Sequence, residues 1–447
     1  MSFSSVDAEI KSSLPGLWKY TGRRNVPFSD SQDWLQAKRR DDDIGDLWRV
    51  HDKLYNLTPF IHKHPGGADW IELTRGTDIT EAFESAHMLN VGKVEKILDK
   101  YFVREASARR NSPYTFKPDG FYQTLKRRAE PILKNVGTGP SKQVELLQDI
   151  LCILYISFVA MGTYLESIPT LIAAGLLLTF STISAHNFFH LRDTWRRYYF
   201  ELSLLSSQDW RISHALSHHM YPNTLLDAEL TMLEPFVVLL PKSTKNFWWN
   251  QLFSPICCNV TALVGFHVAF FKRLGSKLTG KQNFRQEILI PVLEIVFLLN
   301  IAPSSWSGFR SWALVHAVFA YVFGVIGLAA SHHHPVCFHD GDEARPDSDF
   351  GLCQLDASSE RTDDDRENLL VALTTFGFHP LHHLFPTVCH SKLQYLKPVV
   401  KETLEEFEEE INKFPHWQLF TGMYLQAGRN KPNPFVPRIR TSSHHFQ

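Results

Sequence analysis

Three short stretches decide how this 447-residue chain is read: His186–Asn187–Phe188–Phe189–His190, His214–Ala215–Leu216–Ser217–His218–His219 and His379–Pro380–Leu381–His382–His383. Each lies beside a long apolar segment. On a helix, partners at i,i+3 and i,i+4 share a face, so each cluster aims at least two imidazoles at one point. Neutral imidazole suits iron, zinc and copper. Three converging clusters supply more nitrogen donors than one tetrahedral ion takes, which predicts two metal ions. Histidines placed merely at membrane interfaces or in polar loops would not group in this way.

The apolar segments set the topology. Residues 147–165 and 168–186 are almost uncharged, each long enough to span a bilayer, and the Glu166–Ser167 link makes them a hairpin. Arg192, Arg196 and Arg197 mark the returning side as cytosolic. Three more apolar stretches follow at 251–271, 286–303 and 311–331. If all three crossed, the third histidine cluster would face away from the first two, so an even number must cross. The basic interval after Phe271 is expected to be cytosolic, and the 304–310 link carries only Arg310. The last two stretches are therefore the expected spans, and 251–271 is expected along the membrane interface.

Residues 41–105 read as a separate small unit. Leu54–Tyr55–Asn56–Leu57 suggests a strand, while 80–87 and 94–102 suggest short helices. His64–Pro65–Gly66–Gly67 between them permits a tight turn that presents His64. His87 follows a helical run, so the two histidines are placed to close on a planar cofactor from opposite faces. From 41 to 100, 12 acidic residues face 7 basic ones, a surface suited to steering a basic partner. Residues 106–145 read as a connector, with Pro, Gly and Ser over 131–141 opposing continuous helix. The run LKPVVKETLEEFEEEINKF suggests an amphipathic helix. The tail, 426–447 with His444 and His445, reads as irregular.

Bulk composition narrows the function. A formal net charge of -1 and no basic motif exclude nucleic acid as a partner. Cys152, Cys257, Cys258, Cys337, Cys353 and Cys389 show neither metal-type CxxC spacing nor a disulfide-scaffold pattern, which fits a reducing face. The first thirty residues lack a continuous apolar core after a basic start, so insertion is expected from an internal segment.

Two resemblances follow. LYNLTPFIHKHPGGADWI and the later ITEAFESAH resemble a cytochrome b5 domain over 48–103, which implies haem b clamped by axial His64 and His87. The three clusters, with QDWRISHALSHHMYPNTLLDAEL and FGFHPLHHLFPTV, resemble the histidine boxes of membrane fatty-acyl desaturases and hydroxylases over 145–400. The whole chain resembles the insect-type cytochrome b5-related family, akin to front-end acyl desaturases. The fold implied is multidomain, α+β and membrane all-α. A small cytochrome b5-like haem domain at 41–105 and the 106–145 connector precede a four-transmembrane-helix desaturase domain with a cytosolic cap at 146–425.

The resemblance implies haem b and two non-haem iron ions, O₂ activation and hydrogen removal from an acyl-CoA or acyl-lipid substrate. Its electrons would come from an NADH-dependent cytochrome b5 reductase. Multi-pass insertion among the membrane lipids of the endoplasmic reticulum is implied, with haem and iron on the cytosolic face. Implied metal ligands are His186, His190, His214, His218, His219, His379, His382 and His383. The family's additional ligand after the final span would come from Ser331–His332–His333–His334–Pro335, with His333 favoured. Asp209 and Asp227 flank box two and can orient ligands or cap helices. The acidic 340–365 interval reads as a solvated loop, and a narrow apolar substrate tunnel is expected between the spans. Box three opens with His379 where front-end relatives usually carry Gln, so the signature for their regioselectivity is missing. The alternatives are a lipid hydroxylase and a non-enzymatic membrane haem protein serving electron transfer or lipid binding.

Overall fold

The computed structural model describes residues 12–20 and 30–437, apart from 233, 235, 244, 247, 249–251, 281, 329–330 and 364–365. His444 and His445 lie outside the described residues. In the amino-terminal unit, strands Trp48–Val50, Lys53–Tyr55 and Phe102–Glu105 form an antiparallel sheet, with Trp48 opposite Tyr55 and Tyr55 opposite Phe102. The helix expected over 94–102 runs Val91–Leu98 and yields to one 3₁₀ turn before the third strand. Trp48, Val50, Tyr55, Leu57, Ile61, Ile71, Phe83 and Leu98 form the core. Trp48 is fully buried and its indole N–H donates to the Ile71 carbonyl at 3.0 Å, so the large ring is buried without orphaning its one polar atom. Ahead of this unit, helix Ser31–Asp42 starts with a reciprocal Asp30–Asp33 capping box. Its Trp34 donates to the Leu226 carbonyl at 2.8 Å, fastening the helix beside box two.

The expected connector is instead a core element. Helix Phe121–Val136 buries Phe121, Tyr122, Leu125, Ala129 and Leu133 completely. The Pro and Gly content of 131–141 hid this apolar stripe: Pro131 is accommodated within the helix, which stops at Gly137 with φ 75°. Lys126 meets Glu84 of the amino-terminal unit at 2.8 Å. On the opposite side, helix Lys397–Glu406 buries Val399, Val400, Thr403 and Leu404, and Arg128 pairs with Glu406. The amphipathic helix read from the sequence therefore covers Phe121–Val136.

Two helical hairpins make the membrane part. The first joins Lys142–Tyr164 to Ile168–His190, and the second joins Leu289–Ile301 to Ser305–Leu328. Gly175 lets them approach closely, since a Cβ there would lie 2.6 Å from Val318 Cβ. By length and composition alone, the four span candidates are Lys142–Tyr164, Ile168–His190, Ser254–Leu278 and Ser305–Gly327. Leu289–Ile301, which is shorter, is the other arm of the second hairpin. Arg310, near the tip of the second hairpin, pairs with Glu166 at the tip of the first at 3.2 Å, so both tips share one side. Ser254–Leu278 has both ends on the other side: Asn259 bonds Tyr424 at 3.1 Å, and Arg273 bonds the Leu205 carbonyl at 3.4 Å.

A 25-residue helix is about 37 Å long, and this one turns Val260, Leu263, Val264, Val268 and Phe271 outward. It packs lengthwise on Ser305–Leu328, with Ala262 against Gly324, Phe266 against Phe319 and Phe323, and His267 against Trp312 and His316. At 13 residues, or about 20 Å, Leu289–Ile301 is short for a ~30 Å hydrocarbon core. Among the spans, the Tyr155 hydroxyl donates to Glu294, whose other oxygen lies 3.3 Å from His316 Nε2. This buried polar contact ties the two hairpins together.

Topology can be read by labelling single-cysteine variants with a membrane-impermeant maleimide. Thr279→Cys is expected to label from the same face as Lys401→Cys, and Ser304→Cys only from the opposite face. Thr279→Cys labelling together with Ser304→Cys would instead make Ser254–Leu278 a span.

Candidate metal centre

His64 ends a 3₁₀ turn and His87 caps helix Thr80–Ala86, which sets the two rings facing each other. Glycine at 66 leaves room for this, because a Cβ there would lie 2.8 Å from His64 Cε1. His64 Nδ1 bonds the Gly67 carbonyl and His87 Nδ1 the Phe83 carbonyl, both at 2.9 Å. A carbonyl only accepts, so each Nδ1 carries the proton and each Nε2 is free to ligate. The ring centroids are 6.5 Å apart. That gap matches roughly 6 Å for one metal between two opposed imidazoles, counting a ~2 Å bond and half a ring on each side. Burial keeps both rings neutral, lowering His64 and pushing His87 down to about 4.

The second constellation comes from four places in the chain. His186 and His190 occupy the last turns of Ile168–His190, while His379, His382 and His383 lie on the short helix His379–Leu384. Box two departs from the α-helix expected for it. Arg211–His218 is wound as a π-helix, and the His219 N–H bonds the His214 carbonyl at 2.8 Å across five residues. His214 and His219 consequently join one group and His218 another. The first group is His186, His190, His214, His219 and His382, with donor atoms all within 4.8 Å of one another. The second joins His218, His332 and His383, with His379 Nε2 2.6 Å from His332 Nε2. The two are adjacent, since the His219 and His383 rings stack at 4.1 Å.

The residues fit metal ions. Within the groups, Nε2–Nε2 distances are 2.8 Å for His186–His214, 2.9 Å for His186–His190 and 3.1 Å for His218–His332. Two nitrogens at right angles on one ion, with bonds of ~2.1 Å, lie about 3 Å apart. His382 is 1% exposed, yet neither ring nitrogen has a hydrogen-bond partner among the described residues. An orphaned buried imidazole of this kind calls for a ligand.

Acceptors behind the rings hold them in orientation. His214 Nδ1 meets Glu229 at 2.8 Å and His218 Nδ1 meets Asp227 at 2.9 Å. His332 Nδ1 meets the Ala357 carbonyl at 2.7 Å and His383 Nδ1 meets Gln354 at 3.0 Å. Burial lowers His214, His219, His332 and His383, so these imidazoles stay neutral. His218 is the exception: burial opposes its charge, but Asp227 and Glu229 together raise it to about 9. A bound cation would replace that proton.

Several sequence expectations are refined. His333 is not brought to either group: its ring lies 6.2 Å from that of His332 and 6.3 Å from that of His339. The Ala357 carbonyl turns His332 inward instead, and His334 stacks on Phe414 at 4.1 Å. Asp227 orients His218, whereas Asp209 accepts from Ser31 at 2.9 Å and takes no part. His390 went unnoticed because it shares no box spacing. Its ring is 4.3 Å from that of His382, Asn187 fixes its Nδ1 at 3.1 Å, and its Nε2 has no partner among the described residues. Phe376 and Phe378 adopt φ 54° and 58°, costly for bulky side chains and found where a site over-determines its backbone. A cavity of about 1180 Å³ lies beside box three in the cap, lined by Phe378, Leu381, Leu404 and Trp417 as well as Lys397 and Glu409.

Comparison with known proteins agrees with this geometry. The family described as "Fatty acid desaturase" matches residues 166–415, and "Cytochrome b5-like Heme/Steroid binding domain" matches 31–107. A Drosophila melanogaster protein called "Cytochrome b5-related protein" is 37% identical over 94% of this chain and 96% of its own length. "Delta(5) fatty acid desaturase A" of Dictyostelium discoideum is 25% identical over 81% of this chain and 85% of its own. "Acyl-lipid (8-3)-desaturase" of Mortierella alpina is 22% identical over 84% and 92%. Buried inward-facing histidines, a histidine-clamped amino-terminal unit and these likenesses converge: the chain belongs to the fatty acid desaturase family, with a cytochrome b5-like domain fused ahead of its desaturase domain.

Proposed function

We propose that this chain removes hydrogens from the acyl chain of an acyl-CoA or acyl-lipid, using haem b on His64 and His87 and two iron ions on the histidine groups. Ligands for one ion are His186, His190, His214, His219 and His382. Those for the other are His218, His332, His379 and His383. The observation that carries this reading is the pair of adjacent, buried sets of imidazoles whose Nε2 atoms face inward. When bound, haem and iron supply one-electron transfer, O₂ activation and the oxidation of an inert C–H bond.

The chain's residues do the rest. Asp227, Glu229, Gln354 and Asn187 hold the rings, and Phe189, Phe376 and Phe385 exclude water around them. The lysine, glutamate and aromatic residues lining the cap cavity suit the polar end of an amphiphile, with the acyl chain directed toward box three. We assign the haem domain to 41–105 and the desaturase domain to 146–425, with Phe121–Val136 between them. The acidic excess over 41–100 supports an NADH-dependent cytochrome b5 reductase as electron source. Arg192, Arg196 and Arg197 beyond box one support an endoplasmic reticulum orientation with both cofactor sites cytosolic.

Reconstitution of the metal-loaded chain in membranes with NADH, the reductase and an acyl panel tests the reaction. Mass spectrometry is expected to find products lighter by two hydrogens. Gain of one oxygen would make the chain a hydroxylase, and no product across the panel would leave a non-catalytic haem protein.

Ligand assignments are read by metal analysis. His332→Ala and His382→Ala are expected to lose non-haem iron while keeping the haem spectrum, whereas His333→Ala keeps both. Asp227→Asn should weaken metal affinity about 10–100-fold. Retention of iron by His332→Ala, or its loss from His333→Ala, would reverse the choice between the two. His64→Ala and His87→Ala should each abolish the six-coordinate low-spin haem absorption without loss of non-haem iron.

A further inference from the structure

The loop that presents His64 touches the turn after box one directly. The Asp193 N–H donates to the Gly66 carbonyl at 3.2 Å. Gly66 lies two residues from His64 and Asp193 three from His190, so one hydrogen bond completes a bonded route between the two histidines. The approach requires glycine: at Gly67, with φ +119°, a Cβ would fall 2.1 Å from Asp193 Oδ2.

Interlocked charges surround this contact. Asp69 Oδ2, on helix Ala68–Leu73 of the haem domain, lies 3.1 Å from Arg197, 3.4 Å from Arg285 and 3.6 Å from Arg211. Asp193 Oδ1 lies 2.6 Å from both Arg197 and Arg211. Arg211 is 0% exposed. Its guanidinium sits 4.6 Å over the Trp70 ring and its Nε donates to the Phe189 carbonyl at 3.1 Å. Arg211 also opens the π-wound segment that carries His214 and His218. Desolvation offsets much of the attraction in a buried network like this, so its net contribution to stability is small, while its geometry is narrowly defined. Attachment of the haem domain does not depend on it, since Arg110–Glu81 and Lys126–Glu84 fasten another edge at 2.5 and 2.8 Å.

We propose that Asp69, Arg197 and Arg211 form a latch and act as positioning residues for electron transfer, holding the His64 loop against the His190–Asp193 turn. The proposal rests on the function proposed above. In the step it serves, one electron leaves ferrous haem and arrives at a ferric ion of the metal centre; no bond is made or broken and no proton moves. Tunnelling falls off exponentially with separation, so a latch that fixes the separation sets the rate. Trp70 restrains the plane of Arg211, and Arg211 ties the latch to the backbone on both sides of the first histidine group.

The test uses the full haem- and iron-loaded chain in lipid nanodiscs. Haem is reduced anaerobically and mixed with O₂ and an acyl substrate, and its reoxidation is followed spectroscopically above the background of His382→Ala. Asp69→Ala is expected to slow reoxidation several-fold, the scale of electron tunnelling over about one added ångström, and Asp69→Glu to restore it. Haem spectrum, midpoint potential and iron content should match the parent. Hydrogen exchange supplies a readout independent of turnover: peptides covering 64–70 and 190–197 should exchange about tenfold faster in Asp69→Ala. If Asp69→Ala purifies without haem, Arg197→Gln carries the same comparison from the desaturase side. Unchanged reoxidation, or unchanged exchange in these peptides, overturns the latch. Failure of the parent chain to reoxidise haem above background would overturn the electron-transfer reading instead, and the exchange measurement would still decide whether the latch exists.

Discussion

Nine imidazoles withdrawn from water into two adjacent groups are the constraint on which the rest of this fold depends. A buried ring nitrogen without a partner costs free energy of the order of kcal/mol, and every ring has two. Where a partner is visible for the outer nitrogen, it comes from 9 to 29 residues along the chain: Glu229, Asp227, the Ala357 carbonyl and Gln354. The inner nitrogens face one another, an arrangement that bound cations would satisfy together. The topology follows from this requirement. Ligands from the end of the first hairpin, from the segment before Ser254–Leu278 and from both sides of Phe350–Asp356 must meet on one side of the membrane. An even number of crossings is the arrangement that allows it, and the Arg310–Glu166 contact between the hairpin tips agrees.

The sequence carried the boxes and the HPGG turn plainly, because ligand spacing and glycine requirements are local. The even-crossing argument was legible too, since it needed only the order of apolar stretches and charges. What could not be read depended on backbone winding or on distant acceptors. The π-turn over Arg211–His218 divides box two between the groups, and no 3.6-residue periodicity announces it. That His332 and not His333 faces His218 and His383 is the work of the Ala357 carbonyl, 25 residues away. His390 is held beside His382 by Asn187, 203 residues distant. Helix Phe121–Val136 was missed for a different reason: its proline and following glycine looked like a linker, while its apolar stripe had no partner until the cap was folded.

Carboxylates near the rings serve the site in a second way. Asp227 and Glu229 bring negative charge to imidazoles that are themselves neutral when ligating, offsetting part of the charge a pair of cations would bring into a desolvated interior. The same carboxylates raise His218 to about 9, so without a cation the centre retains a proton there. Metal and proton thus compete for one nitrogen, and the metal-binding equilibrium depends on pH through this ring more than through its neighbours, which burial already keeps neutral.

The cytochrome b5-like domain of this chain is docked rather than tethered. A flexible tether would raise the domain's effective concentration at the metal centre but leave its orientation to diffusion. Here Glu81 is gripped by Arg110 and Ser112, Glu84 by Lys126, and Asp69 by three arginines from the desaturase domain. These carboxylates lie on the side of the small domain that faces the desaturase, so part of the acidic excess seen in its sequence is consumed internally. Other carboxylates of the domain, among them Asp52, Asp99 and Glu105, stay exposed. One small domain thereby presents two faces, a buried one fixed by paired charges and an exposed one for transient contact. Under the function proposed above, such a division would let a reductase leave quickly while the distance to the metal centre stays constant.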